Sequence, residues 1–228
     1  MITLNSVGAR IKAICRLIDD VDYLYDVACD HGKIGVYSML LGKAKNCVFS
    51  DISQVNIEKA KQLCSLYQIK NAQFLCLNGI PKQTKENCCI CICGLGAQTI
   101  IDILDKALLE TDMTLILQPA TKEVLLRQYL VNSGYTIEKE DIIIEKGRLY
   151  CIFKVKKPVK TPKKCYDKVY TSFCSNYDEA HLLYIRKSIE RLKKLQNSCF
   201  YNNMQQCKVE QIESALKVLE KIVSSSKK

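Results

Sequence analysis

The chain reads as an α/β protein: a mostly parallel sheet covered by helices on both faces, followed by a C-terminal antiparallel helical hairpin. Three observations lead there. Apolar runs of strand length alternate with helical patterns over residues 23–133. Two β-rich runs joined by Lys146-Gly147 come next, and beyond a basic, proline-bearing stretch the apolar residues step at coiled-coil spacing.

The elements follow in order. Val7, Ile11, Ile14 and Leu17 or Ile18 share one face of an amphipathic opening helix. Strands are expected at Tyr23–Val27, Cys47–Ser50, Gln73–Leu77, Cys88–Cys93 and Met113–Gln118, with helices at Lys33–Leu41, Ser53–Tyr67, Ala97–Leu109 and Lys122–Ser133 between and after them, Gly134 acting as a stop. Such alternation means parallel strands buried on both faces. Tyr135–Glu145 and Arg148–Lys156 then form a hairpin that closes the sheet in antiparallel fashion. Pro158 and Pro162, set among lysines, fit neither a helix nor a central strand, so a boundary falls there: residues 1–156 form one domain, 157–165 a basic linker and 166–228 an arm. In the arm Leu182, Ile185, Ile189 and Leu192, then Val209, Ile212, Leu216, Leu219 and Val223, make two seams separated by Asn197–Asn203, short enough to pair within one chain. The expected state is a monomer.

With 228 residues and 48% apolar content the chain can bury one core and carry a smaller appendage. It holds no apolar run of membrane-spanning length, and Arg10, Lys12 and Arg16 are dispersed through the opening helix, so a soluble cytoplasmic protein without membrane contact is expected. Most of the 14 cysteines sit inside apolar runs such as Cys88-Cys89-Ile90-Cys91-Ile92-Cys93, where they serve as reduced, small core residues. Cys88 and Cys91 form a C-x-x-C, but on a strand they point to opposite faces, and neither a second pair nor a nearby histidine completes a metal set. Residues 1–155 carry 18 Lys and Arg against 17 Asp and Glu, whereas residues 156–228 carry the other 16 against 7, which leaves nine of the ten net positive charges on Lys156, the linker and the arm together. A basic appendage on a neutral domain is the footprint of a polyanion partner.

Candidate chemistry begins at Tyr23-Leu24-Tyr25-Asp26-Val27-Ala28-Cys29-Asp30-His31-Gly32, a strand running into a loop with two carboxylates, a histidine and a glycine. In a strand-loop-helix unit a ligand sits at the carboxyl end of the strand. The loop lacks G-x-G-x-x-G, and Asp26 and Asp30 would repel a pyrophosphate, whereas S-adenosylmethionine brings a sulfonium, an ammonium and one carboxylate; the methyl donor is favoured over a nicotinamide. Asp51 closes the second strand, where an acid can take both ribose hydroxyls of an adenosine or cap the helix after Ser53. Ile52 lies beside it, Asn78-Gly79 follows the third strand near an adenine edge, and Cys93-Gly94-Leu95-Gly96 lets a flat group approach the backbone after the fourth. Gln118-Pro119 closes the fifth strand with a planar amide on a stiff loop.

Asp26-Val27-Ala28-Cys29-Asp30-His31, Ile92-Cys93-Gly94-Leu95-Gly96-Ala97 and Leu115-Ile116-Leu117-Gln118-Pro119, in this order, resemble the three signature stretches of the bacterial tRNA (adenine(22)-N1)-methyltransferases, as do the opening Leu4 to Arg10-Ile11 and the helical appendage. The resemblance implies a class I methyltransferase with a Rossmann-like seven-stranded sheet, S-adenosylmethionine as cofactor and tRNA as the arm's partner. Departures are Ala28 for Gly, Gly32 for Ala, Asp51 for Glu, Asn78 for Asp, Ala97 for Gly and Ala120 for the Asn after Gln-Pro. Most keep size or hydrogen-bonding type. The expected cofactor residues are thus Asp26, Ala28, Cys29, Asp51, Ile52, Asn78, Gly79, Cys93 and Gly94.

N1 of adenine keeps an in-plane lone pair at neutral pH, so methylation there is mainly alignment of an unpaired base. Asp30 is the candidate partner of the exocyclic amine, His31 an orienting group for cofactor or base, and Gln118 the aligner of the base edge. Arg10, Gly96, Pro119 and, on the arm, Lys187, Arg191 and Lys194 are the candidate substrate contacts, with no metal involved. A small-molecule methyltransferase would not require the basic arm, and a noncatalytic RNA-binding protein would not require acids after both the first and second strands.

Overall fold

The computed structural model describes residues 7–107, 109, 113–157, 177–201 and 206–225. Its elements are α1(Ala9–Leu17), β1(Val21–Val27), α2(Lys33–Leu40), β2(Ala44–Asp51), α3(Gln54–Leu66), β3(Ala72–Cys76), β4(Cys88–Cys93), α4(Ala97–Lys106), β5(Thr114–Gln118), α5(Glu123–Asn132), β6(Thr136–Glu145), β7(Arg148–Lys156), α6(Glu179–Tyr201) and α7(Gln206–Ser225). Seven strands form one sheet in the order β3-β2-β1-β4-β5-β7-β6. The first five are parallel, β7 runs antiparallel to β5, and β6 pairs antiparallel with β7 at the edge. The chain winds outward from β1 through β2 to β3, then returns to β4 on the other side of β1. Strand order therefore reverses between β1 and β4, which is where open α/β sheets leave a crevice at their carboxyl ends.

Period-two alternation divides the core into two layers. Tyr25, Val27, Ile90, Ile92, Leu115 and Leu117 face α4 and α5 in one layer. Leu24, Phe49, Cys89, Cys91 and Ile116 face Ile14 of α1, Val36 of α2 and Ile57 of α3 in the other. Cys88 packs in the first layer and Cys91 in the second, so the C-x-x-C is split across the sheet. The ten cysteines from Cys15 to Cys151 are free, and all but Cys76 are buried or half-buried. The hairpin turns on Lys146 and Gly147, both left-handed, as a two-residue turn between twisted strands requires.

The arm departs from its predicted outline. Helix α6 continues through Tyr201 instead of stopping before Asn197, and its Ile185 and Leu192 pack against Ile212, Ala215, Leu216 and Leu219 of α7 in the predicted seam. Helix α4 stops at Lys106, short of the predicted Leu109. Apart from Lys157, the predicted linker 157–165 and the start of the arm, 166–176, lie outside the described residues. Nor is the arm a mere appendage: α6 packs on β6, and Tyr184 belongs to the sheet's own core. There the wholly buried Arg127 of α5 forms an ion pair with the wholly buried Glu140 of β6 and donates from Nη1 and Nη2 to Tyr184 Oη at 3.2 Å. Its guanidinium also lies over the rings of Phe153 and Tyr184. Burying two charges is costly unless they are paired and hydrogen-bonded, and here each supplies what the other needs.

Candidate active site

A cleft of about 700 Å³ opens along the carboxyl ends of β1, β2, β3 and β4, within the size range of small-molecule sites. It gathers twelve of the predicted residues: Arg10, Asp26, Ala28, Cys29, Asp30, His31, Asp51, Ile52, Asn78, Gly79, Cys93 and Gly94. Sequence reasoning passed over Lys33 in the first turn of α2, Asn56 in the first turn of α3 and Thr99 in the first turn of α4. Their signal was the position itself, since first-turn residues after strands face the crevice.

The floor is built by the loop after β1. Ala28 and Asp30 hold φ of 55° and 50°, and Gly32 holds 69°, a region costly for side chains other than glycine's. The strain brings the backbone under the cleft: Asp30 N donates to Asp51 Oδ2 at 3.1 Å, and Cys29 N donates to the Ser50 carbonyl. Asp30 keeps its carboxylate free of the α2 amides and 66% exposed, with His31 Nε2 3.5 Å away. Asp26 is buried instead and accepts Gly35 N at 3.0 Å, so it takes an amide of the first turn of α2. Burial pushes the Asp26 carboxyl up to about 7, and the neighbouring Asp51 and Asp30 push in the same direction.

Asp51 does both things its position allowed. It lines the cleft, and its Oδ1 accepts Ser53 N at 2.9 Å and Asn56 Nδ2 at 3.2 Å, anchoring the start of α3. A carboxylate has about four acceptor positions. With three already filled, Asp51 has room for one further strong donor, not the two expected from sequence. Ile52, 72% exposed beside it, offers an apolar lid to a flat ring. Cys29 and Cys93 are thiols, not nucleophiles, because burial and Asp26 raise both well above the ordinary cysteine range.

The remaining predicted residues lie elsewhere. Gln118 is completely buried; its Nε2 donates to the Pro119 carbonyl at 2.6 Å and its Oε1 accepts from Arg10 Nη1 at 2.7 Å. It is not presented to a ligand. Pro119 is buried with it, and Gly96 lies behind the lining, bridged to Thr121. Arg10 stands at the cleft, its guanidinium 5.4 Å from the centre of the Tyr150 ring, and its backbone N donates to Glu145 Oε1, which thereby caps α1. On α6, Lys187 and Lys194 are exposed, whereas Arg191 Nη1 is held 2.7 Å from Glu123 Oε1 of α5.

A switch-point cleft with acids at two successive strand ends, on a sheet closed by an antiparallel hairpin, defines a nucleotide-cofactor group-transfer domain rather than a pyrophosphate-binding one. The chain belongs to the methyltransferase-domain family, whose model matches residues 7–153. It is similar to a Mycoplasma genitalium protein provisionally named a tRNA methyltransferase, 27% identical over 165 residues that cover 68% of this chain and 73% of that one. The tRNA (adenine(22)-N(1))-methyltransferase of Bacillus subtilis is 26% identical over 152 residues, 63% of this chain and 62% of its own. Among solved structures, M. capricolum TrmK in complex with S-adenosyl-homocysteine superposes with a TM-score of 0.74 at 21% identity, covering 96% of this chain and 98% of that one. This last likeness extends beyond the domain into the arm.

Proposed function

We propose that the protein transfers a methyl group from S-adenosylmethionine to N1 of adenosine 22 in tRNA. The observation that carries this is the acidic, glycine-edged cleft at the β1/β4 reversal, together with a C-terminal stretch, residues 156–228, that holds nine of the ten net positive charges. Residues present in the cleft fit the cofactor: Asp51 retains acceptor capacity for a hydroxyl, Ile52 covers an apolar ring, Asn78 sits exposed at the third strand end for an adenine edge, and Asp26 lies where a cationic group would relieve its buried charge. When bound, S-adenosylmethionine supplies an electrophilic methyl group. Asp30, exposed in the cleft, accepts from the exocyclic amine of the base and attracts the positive charge that grows on the ring. His31 orients Asp30 or the base, and Lys33 faces the cleft as a counterion for a carboxylate or phosphate. Gln118 acts through its neighbours, holding Arg10 and the Pro119 carbonyl in place.

The tRNA is gripped by residues 157–228, with Lys187 and Lys194 as phosphate contacts. The protein works as a cytoplasmic monomer, since the α6/α7 seam closes within one chain; no described helix is long and apolar enough to cross a membrane. The test is mass spectrometry of nuclease-digested tRNA after incubation with protein and S-adenosylmethionine. One N1-methyladenosine per tRNA, absent when A22 is replaced, is the expected result. Unmodified tRNA, or calorimetric binding of NADH but not of S-adenosylhomocysteine, overturns the reading.

A further inference from the structure

Helix α5 begins immediately after Gln118-Pro119-Ala120-Thr121-Lys122, and that loop is tied to the glycine loop after β4. Ala120 N donates to the Leu95 carbonyl at 2.7 Å, Gly94 N to the Gln118 carbonyl at 2.9 Å, and Ala97 N to the Thr121 carbonyl at 3.2 Å. Gly94 and Leu95 line the cleft, so whatever moves the start of α5 moves part of the cleft wall. The start of α5 is held by these backbone bonds and not by a side-chain cap. Its N-cap, Lys122, is a non-glycine residue in the left-handed region at φ 59°, with no side-chain cap.

Support comes from the arm. Glu123 and Arg127 are four residues apart and share a face of α5, while Tyr184 and Arg191 are seven apart and share a face of α6. The first pair meets the second in antiparallel order: Arg127 with Tyr184, and Glu123 with Arg191. The inner contact is buried among Glu140, Phe153 and Tyr184 and holds the two helices together; the outer one, partly exposed, sits at the first turn of α5, next to the loop before it.

We propose that Arg191 and Glu123 are positioning residues which couple the arm to the base-receiving wall of the cleft, Arg191 acting through Glu123 and not as a phosphate contact. The proposal rests on reading the cleft as a methyl-transfer site that receives a flipped adenosine. Docking of tRNA on α6 fixes the helix, the Arg191–Glu123 pair fixes the first turn of α5, and the joined loops at 94–97 and 118–122 are set in the geometry the base meets.

The experiment uses the full chain and the variants Arg191→Gln, Glu123→Gln and both together, read in two ways. Hydrogen exchange of free protein over segments 94–97 and 118–122 reports the loops without requiring turnover, and steady-state kinetics on tRNA give kcat and KM separately. Each single variant should speed exchange in both segments and lower kcat by roughly three- to tenfold with KM nearly unchanged. The double variant should be no worse than either single one, as expected when one contact is removed twice. Unchanged exchange in the single variants overturns the proposal. So does a raised KM confined to Arg191→Gln with Glu123→Gln silent, the signature of a phosphate contact. If the unaltered protein fails to methylate tRNA while exchange still responds to both substitutions, the functional reading fails and the mechanical coupling stands.

Discussion

Arg10 and Gln118 lie 108 positions apart, and one hydrogen bond of 2.7 Å between Nη1 and Oε1 joins the opening helix to the end of the fifth strand. Both ends of the Gln118 amide are then engaged, since its Nε2 donates to the Pro119 carbonyl. A residue expected from sequence to touch the base instead stiffens the loop that surrounds it.

Replacing Gln118 with leucine keeps the volume and removes both bonds. A buried carbonyl left unpaired costs about 1–3 kcal/mol. The expected outcome is a lower unfolding midpoint in urea, S-adenosylhomocysteine affinity within about twofold of the original, and a larger fall in turnover. Asp30→Ala should spare both stability and cofactor affinity and lose turnover alone, which calorimetry and a methylation assay together would check.

Asp26 makes the cofactor site sensitive to pH. Its carboxyl is raised from 3.8 to about 7 in the folded protein, so between those values the unfolded chain has released a proton that the native one retains, and stability falls as pH rises through this window. The loss amounts to about 4 kcal/mol at its upper end, from about 1.4 kcal/mol per unit. Asp26→Asn should abolish this slope and raise the unfolding midpoint at pH 8. A ligand that places an ammonium near Asp26 favours its ionised form, so S-adenosylhomocysteine should bind more tightly at pH 8 than at pH 6 and release protons on binding. Titration calorimetry in buffers of different ionisation enthalpy measures both, and the Asn variant should show neither.

The buried pair of Arg127 and Glu140 gives a stability prediction. Arg127→Met alone leaves Glu140 buried without its cation and should destabilise by about 3–5 kcal/mol. Arg127→Met with Glu140→Leu removes the stranded charge and should recover most of the loss. Removing the chain beyond Lys156 takes away Tyr184 as well, so the truncated protein should unfold at lower urea than the full chain. This differs from the expectation of an independent domain and is checked by the same denaturation experiment.

Lys187 and Lys194 stand two turns apart on α6, exposed, with no acidic side chain within ion-pair distance among the described residues. Changing both to glutamine should lower tRNA affinity and reduce the slope of log affinity against log salt by about 2, one for each lost phosphate contact. Filter binding over a range of potassium chloride concentrations would reveal it. An unchanged slope would place the RNA on another face.

The sheet was legible because its signals are periodic. Strands β4 and β7 match their predicted bounds, β1 differs only in starting earlier at Val21, and β2 starts earlier at Ala44 and runs one residue further to Asp51. Strand-end residues were legible for the same reason: once the strands are placed, Asp26, Asp51, Asn78 and Cys93 fall at one edge. What the pattern could not carry was direction. Asp26 and Asp30 look alike in sequence, yet one is buried against Gly35 N and the other opens to the cleft, a difference made by left-handed backbone at Ala28 and Asp30. Gln118 and Arg191 were read as ligand contacts because their partners, Arg10 and Glu123, are 108 and 68 positions away in sequence. Glu145 capping α1 across 135 positions was invisible likewise.

The antiparallel meeting of α5 and α6 also sets a distance. Helix α5 leads away from the cleft, so α6, passing Arg127 before Glu123, climbs toward it, and the ten residues that follow Arg191, through Tyr201, project about 15 Å past the first turn of α5 at 1.5 Å per residue. If the arm holds the tRNA as proposed, this span acts as a spacer: the separation between the gripped phosphates and the base offered to the cleft is then set by the length of α6.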